Sequence, residues 1–188
     1  MGAPLNRLTS TQKKVRTDKS NPLIIHNIIK RASMTAPLKD QVIKILATGF
    51  GAGLSPVAPG TMGTVVGVLI CLAGYSLSWG FRLVFVVSVC AVSIYVAGRA
   101  EVLFGKKDDQ RIVIDEIAGL QVTMLPATIT GLHLCVAFVL FRVFDIWKPY
   151  PVNRLQNLPG GWGVVADDLG AGVYAGLVML LLTILFPF

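Results

Sequence analysis

The sequence predicts an all-α integral membrane protein, a polytopic bundle of about five spanning or re-entrant helices with a cytoplasmic amino end. Hydrophobic residues make up 54% of the 188 positions, and only 14% are Asp, Glu, Lys or Arg, against about 25% in ordinary soluble domains. Long apolar runs at 64–75, 83–97, 132–141 and 173–186 approach the roughly 20 residues that cross a bilayer. A soluble core could not bury this much apolar surface, so one compact membrane domain is expected.

Basic residues are concentrated at the amino end of the chain. The formal net charge is +7, and nine of the seventeen Lys and Arg residues lie within residues 7–44. Because basic segments beside membrane spans stay on the cytoplasmic side, this excess predicts a cytoplasmic amino end. Anionic lipid head groups are the expected contact. The chain has no nucleic-acid recognition module, so we expect no nucleic-acid partner.

Three segments are expected along the chain. Residues 1–20 are polar and basic, which is typical of a disordered cytoplasmic tail. Residues 21–48 mix apolar and basic side chains at helical intervals, which predicts interfacial amphipathic helices near 22–31 and 38–49. Residues 49–188 form the membrane domain, which opens with a loop at 49–63 that contains five glycines and two prolines.

The membrane domain is expected to make about five crossings. A first helix runs outward from Thr61 to about Ser78, a second returns by about Gly98, and a third covers 112–127, either crossing fully or dipping in and out. Residues 132–147 come back, and residues 164–186 cross once more. The loop at 99–111 holds four basic residues and is therefore expected to be cytoplasmic. A second polar loop covers 148–163.

The ionisable residues of the spanning region all fall at the cytoplasmic end of this topology. They are the acidic pair Asp115 and Glu116, the evenly spaced Arg142, Asp145 and Lys148, and a second acidic pair, Asp167 and Asp168. Such side chains at the edge of a membrane helix are costly unless paired, metal-bound or wet. A helix cap, an ion-pair ladder and acids favoured by a helix dipole would explain each set separately. Their convergence at one depth favours a functional site.

Carboxylates beside basic residues are typical of metal-assisted phosphoryl chemistry, because oxygen ligands suit Mg²⁺ and Arg and Lys suit phosphate. The expected catalytic and metal-binding residues are Asp115, Glu116, Asp145 and Asp168, with Asp167 as a further metal ligand. The expected phosphate-binding residues are Arg142, Lys148, Arg154 and a helix start with Gly60, Thr61 and Thr64, where free N–H groups attract anions. The same helix start is explained structurally if Thr61 is its cap.

A covalent His or Cys intermediate is disfavoured. His26 and His133 lie outside these clusters, and no Cys lies beside the arginines of the motifs. Activated water or an Asp nucleophile remains.

Four blocks of the sequence carry a family resemblance. They are 51–64 (GAGLSPVAPGTMGT), 112–119 (IVIDEIAG), 141–151 (FRVFDIWKPYP) and 160–172 (GGWGVVADDLGAG). In this order they resemble the phosphatidylglycerophosphatase A family of bacterial inner-membrane lipid phosphatases. Members often carry an Asp-His-Gly stretch before the acidic pair, whereas this chain reads KDDQR at 107–111, so no histidine role is expected there.

The resemblance implies Mg²⁺-dependent removal of the terminal phosphate from phosphatidylglycerophosphate, giving phosphatidylglycerol and phosphate in phospholipid biosynthesis. It implies a multi-pass protein of the bacterial inner membrane, with the bilayer and a phospholipid substrate as partners and an active site that faces the cytoplasm. The oligomeric state is left open.

The sequence leaves three alternative functions open. A phosphatase for another lipid phosphate, such as phosphatidic acid or a polyprenyl phosphate, is the nearest. An ion-coupled transporter would place its acids at mid-membrane depth and repeat its broken helices in two halves, and no repeated halves are visible here. A non-catalytic membrane adaptor would depend on the basic tail.

Overall fold

The computed structural model describes residues 37–74 and 77–186, in which all regular structure is helical. The α-helices are α1 (Leu38–Ala47), α2 (Pro59–Ala73), α3 (Trp79–Phe104), α4 (Ile114–Met124), α5 (Gly131–Trp147), α6 (Val152–Leu155) and α7 (Gly161–Leu185), with a 3-10 turn at Ala52–Leu54. The all-α class is therefore confirmed for these residues. The expected tail at 1–20 and the expected helix at 22–31 lie outside them.

Helix α4 is the centre of the compact unit that begins at Val42. It packs against α2, α3, α5 and α7, and α7 in turn packs against α3, α5 and α6. Nine of the eleven residues of α4 are buried, Asp115 among them. A carboxyl group on this helix therefore lies inside the bundle rather than on its surface.

Glycines bring the backbones of α4 and α7 close together. A Cβ at Gly172 would overlap the carbonyl oxygen of Gly119, and a Cβ at Gly119 would overlap the ring of Phe141 on α5. Small residues allow such close approach between membrane helices. Gly119 follows Asp115 by four residues and Gly172 follows Asp168 by four, so each pair shares a helix face. The glycine contact thereby brings the two carboxylates together one turn away.

Two helices of the described residues, α3 with 26 residues and α7 with 25, are long and apolar enough to cross a membrane, with mean hydropathies of 2.1 and 1.9. Helix α2 is apolar and has 15 residues. Helix α4 has 11 residues, or about 16 Å at 1.5 Å per residue, roughly half of the hydrocarbon thickness of a bilayer. It is shorter than the expected 112–127.

The expected start of the first helix is wrong. Helix α2 begins at Pro59, its N-cap is Ala58 in the left-handed region (φ 49°), and no side chain makes a capping hydrogen bond. Thr61 therefore lies inside the helix and does not cap it. The helix ends at Ala73 rather than near Ser78.

Two further boundaries differ from expectation. Helix α3 continues past Gly98 to Phe104 and ends at Gly105 in the left-handed region (φ 68°), which glycine adopts without steric cost. Helix α7 begins at Gly161 rather than at residue 164, so Asp167 and Asp168 lie about two turns inside it. Since the helix dipole acts mainly within the first turn, it does not explain these acids. The expected loop at 148–163 contains α6.

Candidate active site

A cavity of about 300 Å³ opens where the amino-terminal ends of α2 and α4 meet the carboxyl-terminal end of α5 and the second turn of α7. Its lining consists of Ala58, Pro59, Gly60, Asp108, Asp109, Gln110, Ile112, Asp115, Glu116, Arg142, Asp145, Lys148, Val164, Asp167 and Asp168. All five carboxylates expected from the sequence reach this cavity, together with Arg142, Lys148 and Gly60.

Three of these carboxylates form what we call the carboxylate cluster: Asp115, Glu116 and Asp168. Each offers one oxygen, and these oxygens all lie within 4.8 Å of one another. The backbone N–H of Glu116 donates to Asp115 Oδ1 at 3.1 Å, while Glu116 Oε2 is buried and has no hydrogen-bond partner among the described residues. Like charges this close repel unless a cation or a proton offsets them. The cluster is therefore suited to hold a metal ion.

The other two carboxylates belong to an ion-paired group, which we define as Arg142, Asp145, Lys148 and Asp167. Arg142 NH1 donates to Asp145 Oδ2 at 2.5 Å, and Lys148 Nζ donates to Asp167 Oδ2 at 2.5 Å. Lys148 Nζ also lies 3.9 Å from Asp145 Oδ1 and 3.9 Å from Asp168 Oδ1. The three-residue spacing places Arg142 and Asp145 on one face of α5. Lys148 follows the end of that helix in the left-handed region (φ 44°), and α7 supplies Asp167.

Lys148 stays charged in this position. Burial alone would lower the pKa of its ammonium group, but the charges of Asp168, Asp167 and Asp145 outweigh burial and raise the pKa above its ordinary value. Arg142 Nε is buried and has no hydrogen-bond partner in the described part of the chain. Both cations can therefore present positive charge to an anion in the cavity.

The charge balance of the cavity is negative. Five carboxylates of the cluster and the ion-paired group face two cations. When all five are ionised, a phosphate monoester would meet net repulsion unless additional positive charge were present. A divalent cation on the carboxylate cluster would offset that repulsion and leave Arg142 and Lys148 free to bind the phosphate.

Gly60 lies where the start of α2 touches both parts of the site. A Cβ at this position would overlap Glu116 Oε1 and lie 3.2 Å from Arg142 NH1. Glycine therefore leaves space for the side chains of Glu116 and Arg142. Thr64 is buried, and its hydroxyl donates to the Gly60 carbonyl at 2.9 Å. Neither Thr61 nor Thr64 lines the cavity.

Arg154 also lies outside the cavity lining. It is an exposed residue of α6, and its guanidinium carbon is 5.0 Å from the centroid of the Tyr150 ring. The structure thus brings two of the three expected phosphate-binding cations into the cavity and places the third beside an aromatic ring.

The loop before α4 supplies cavity residues that sequence reasoning did not assign. Asp109 is buried and receives hydrogen bonds from Arg111 Nε and Arg111 NH2 at 2.8 Å each. These bonds lower the pKa of Asp109 to about 2. The guanidinium of Arg111 lies 4.2 Å from the centroid of the Phe104 ring, which ties the loop to the end of α3. The available signal was the Asp-Asp-Gln-Arg string at 108–111, which is separated from the acidic pair by three apolar residues.

Comparisons with known proteins identify relatives of the chain. A family model described as phosphatidylglycerophosphatase A matches residues 45–183. Phosphatidylglycerophosphatase A of Escherichia coli is 34% identical over 138 residues, which cover 72% of this chain and 80% of the relative. The protein of the same name from Haemophilus influenzae is 33% identical over 163 residues, or 82% and 93% of the two chains.

A third relative, from Bacteroides thetaiotaomicron, is named a putative phosphatidylinositol-3-phosphatase. It is 36% identical over 144 residues, which cover 72% of this chain and 89% of the relative. No solved structure matches the chain at a significant level. The family match includes every residue that lines the cavity, and it confirms the predicted enzyme class, a phosphatase. The chain therefore belongs to the phosphatidylglycerophosphatase A family.

Proposed function

We propose that this chain removes the terminal phosphate of phosphatidylglycerophosphate, giving phosphatidylglycerol and inorganic phosphate for phospholipid synthesis, and that it requires Mg²⁺. Family membership supports a lipid phosphate monoester as the substrate. One structural observation carries the proposal for the site: a cluster of three carboxylates shares one cavity with two cations. This combination suits a phosphate monoester together with a divalent metal.

The residues of the carboxylate cluster fit Mg²⁺. Asp115, Glu116 and Asp168 offer only oxygen ligands, and Glu116 Oε2 is buried with no protein partner in the described residues. A buried acceptor without a partner is costly, and a hard cation is a suitable occupant. A bound Mg²⁺ would supply charge stabilisation to the phosphoryl group and activate water. The cluster would orient that water for attack on phosphorus.

Asp145 and Asp167 are assigned a different role from the metal binding expected of them. One oxygen of each already accepts a 2.5 Å hydrogen bond, from Arg142 and Lys148 respectively. Charge-assisted hydrogen bonds of this kind hold side chains in defined positions. We assign both carboxylates to orienting the two cations, which bind the non-bridging oxygens of the phosphate and stabilise its charge during transfer.

We place the site at the cytoplasmic face of a bacterial inner membrane, with α2, α3, α4, α5 and α7 as the five spanning or re-entrant elements and the amino end in the cytoplasm. The loop from Gly105 to Val113, beside the cavity, carries three basic residues, which favours the cytoplasmic side. Asp168 is seven residues beyond the start of α7, or about 10 Å along the helix. A phospholipid could therefore offer its head group while its acyl chains remain in the bilayer.

A second substrate is supported by one observation. The Bacteroides relative, whose name proposes phosphatidylinositol-3-phosphatase activity, is 36% identical. Phosphatidylinositol 3-phosphate also carries a phosphate monoester on a polyol head group, so the same cavity chemistry would apply. An ion-coupled transporter is less well supported, because the carboxylates gather in one cavity at the amino-terminal parts of α4 and α7 and the carboxyl-terminal end of α5.

The test uses the full chain, purified in neutral detergent micelles and given a panel of lipids. We expect phosphate release from phosphatidylglycerophosphate to exceed that from phosphatidylinositol 3-phosphate and phosphatidic acid. A chelator should abolish release, and added Mg²⁺ should restore it. Faster release from another lipid would replace the proposed substrate, while undiminished release with the chelator would remove the metal.

A further inference from the structure

An aromatic and basic rim lies beside the active site. We define the rim as Phe144, Trp147, Tyr150, Arg154 and Tyr174. The rings of Phe144 and Trp147 stack with centroids 6.2 Å apart, and Phe144 lies 5.8 Å from Tyr174. Trp147 and Tyr150 are exposed by 69% and 68%. Exposed Trp and Tyr are typical of the boundary between the hydrocarbon core and the head groups.

The rim lies at the depth of the catalytic carboxylates. Helix α6 packs Val152 and Leu155 against Gly170, where a Cβ would meet them at 3.0 and 3.1 Å. Gly170 follows Asp168 by two residues, or about 3 Å along α7. The hydroxyl of Tyr174, a further turn along, donates to the Tyr150 carbonyl at 3.3 Å. Residues 150–155 therefore run alongside α7 at the level of the site.

The rim adjoins an exposed apolar face of α7. Helical spacing places Gly170, Tyr174, Leu177 and Leu181 on one face of α7. Leu177 and Leu181 continue this face below the rim and are exposed by 58% and 54%. In a bilayer, this exposed apolar face would contact lipid, and a cation at the level of the rim would lie near the phospholipid head groups.

Arg154 is a cation without an acidic partner in this position. No carboxylate oxygen of the described residues lies within 4.0 Å of it, and the Tyr150 ring supports its guanidinium at 5.0 Å. A cation–π contact orients the group and leaves its N–H donors free. Guanidinium N–H donors match the oxygens of a phosphate group.

The proposed substrate carries a second phosphate that the catalytic cavity does not account for. Its terminal monoester binds Arg142 and Lys148 in the proposed function, while an inner phosphodiester links the head group to diacylglycerol. We infer that Arg154, held over Tyr150, binds this inner phosphodiester and so selects lipids that carry both a diester and a monoester. This inference rests on the proposed function, and it disfavours phosphatidic acid, whose only phosphate is the monoester.

The test compares the wild type with Arg154→Gln, Arg154→Lys and the control Arg99→Gln, which removes an exposed arginine of α3 outside the cavity. In neutral detergent micelles, Arg154→Gln should raise KM for phosphatidylglycerophosphate about tenfold and leave kcat within about twofold, because the diester contact is equal in the ground and transition states. Arg154→Lys should recover part of the loss. Arg99→Gln should match the wild type.

Inhibition identifies which phosphate Arg154 contacts. Phosphatidylglycerol carries the diester alone, so its inhibition should weaken about tenfold in Arg154→Gln, while inhibition by inorganic phosphate should not change. An unchanged KM, equal weakening for both inhibitors, or an equal loss in Arg99→Gln would overturn the inference. If the wild type releases no phosphate from phosphatidylglycerophosphate, the proposed function is wrong, but the inference about Arg154 can still be tested. Equilibrium binding of phosphatidylglycerol to the wild type and to Arg154→Gln then measures the diester contact directly.

Discussion

The carboxylate cluster and the ion-paired group contain the same kind of side chain in opposite electrostatic surroundings. Asp115 and Glu116 have no Lys or Arg nitrogen within 4.0 Å among the described residues, and Asp168 has one only at 3.9 Å. Asp145 and Asp167 each accept a hydrogen bond from a cation at 2.5 Å. This difference supports the two proposed roles: carboxylates without a close cation suit a metal ion, and the paired carboxylates hold the cations that we propose bind the phosphate.

Of the substitutions that test this difference, Asp115→Asn should have the largest effect on activity. The change keeps the size of the side chain and removes one charge from the carboxylate cluster. We expect kcat/KM for phosphate release to fall by at least about 10³-fold. Affinity for Mn²⁺, used as a paramagnetic substitute for Mg²⁺ and measured by EPR, should fall at least about tenfold. Without metal, the thermal midpoint should rise, because repulsion within the cluster is relieved. Undiminished Mn²⁺ affinity would contradict the assignment.

Gly60→Ala tests the contact between the two parts of the site. The new Cβ would overlap Glu116 Oε1 and approach Arg142 NH1, so we expect phosphate release to fall by about 10²-fold. Overpacking should also cost about 1–3 kcal/mol of stability. Gly80→Ala is the matched control, since a Cβ there meets nothing within 4 Å. Equal rates of phosphate release for the two variants would show that activity does not depend on the space that Gly60 leaves beside Glu116 and Arg142.

The residues of the site were predictable from the sequence because charge is costly in apolar helices. Asp115, Glu116, Asp167 and Asp168 stand out against their neighbours, and the spacing of Arg142, Asp145 and Lys148 predicts one shared helix face. In the structure these residues line one cavity. Their division into two groups was not predictable, because it depends on contacts between distant segments. The pairing of Lys148 with Asp167 joins residues 19 positions apart.

Several helix boundaries were predicted wrongly for a related reason. The start of α2 follows a left-handed Ala58 rather than a capping side chain. Its first residue is Pro59, and proline is common at the first position of a helix, a signal that the expected start at Thr61 did not use. The chain before α4 is held by a hydrogen bond from the Val113 N–H to the Ala47 carbonyl at 2.8 Å. Arg154 is predicted to bind phosphate because the sequence places it at the same depth as Arg142 and Lys148. The packing of α6 on Gly170 places it outside the cavity instead.

Asp145→Asn tests whether the carboxylate cluster and the ion-paired group are distinct, because it changes a residue of the ion-paired group alone. Loss of the charged hydrogen bond to Arg142 should leave the cations less well oriented. We therefore expect KM for the lipid to rise about tenfold, whereas Mn²⁺ affinity stays within about threefold of the wild type. If Mn²⁺ affinity falls as far as in Asp115→Asn, Asp145 is a metal ligand, as the sequence alone suggested, and the two groups are not distinct.

Asp109→Asn should have the smallest effect. Asp109 lines the cavity, but its carboxylate binds Arg111 rather than either group of the site. We therefore expect phosphate release within about threefold of the wild type. Because Arg111 is about half exposed, the loss of stability at pH 7 should be about 1 kcal/mol or less. Asp108→Asn is the control: Asp108 is exposed, makes no ion pair within the described chain and has a left-handed backbone that Asn tolerates.

The pH dependence of Asp109→Asn separates a structural ion pair from a catalytic role. Hydrogen bonds from Arg111 lower the pKa of Asp109 from 3.8 to about 2 in the folded protein. The ionised carboxylate therefore stabilises the fold fully above about pH 4, and this contribution is lost as the pH falls toward 2. In thermal unfolding followed by tryptophan fluorescence, the difference in thermal midpoint between the wild type and Asp109→Asn should be constant from about pH 5 to about pH 8. The difference should narrow below about pH 4. A variant of unchanged stability that loses about 10²-fold in kcat would instead assign Asp109 to the catalytic residues.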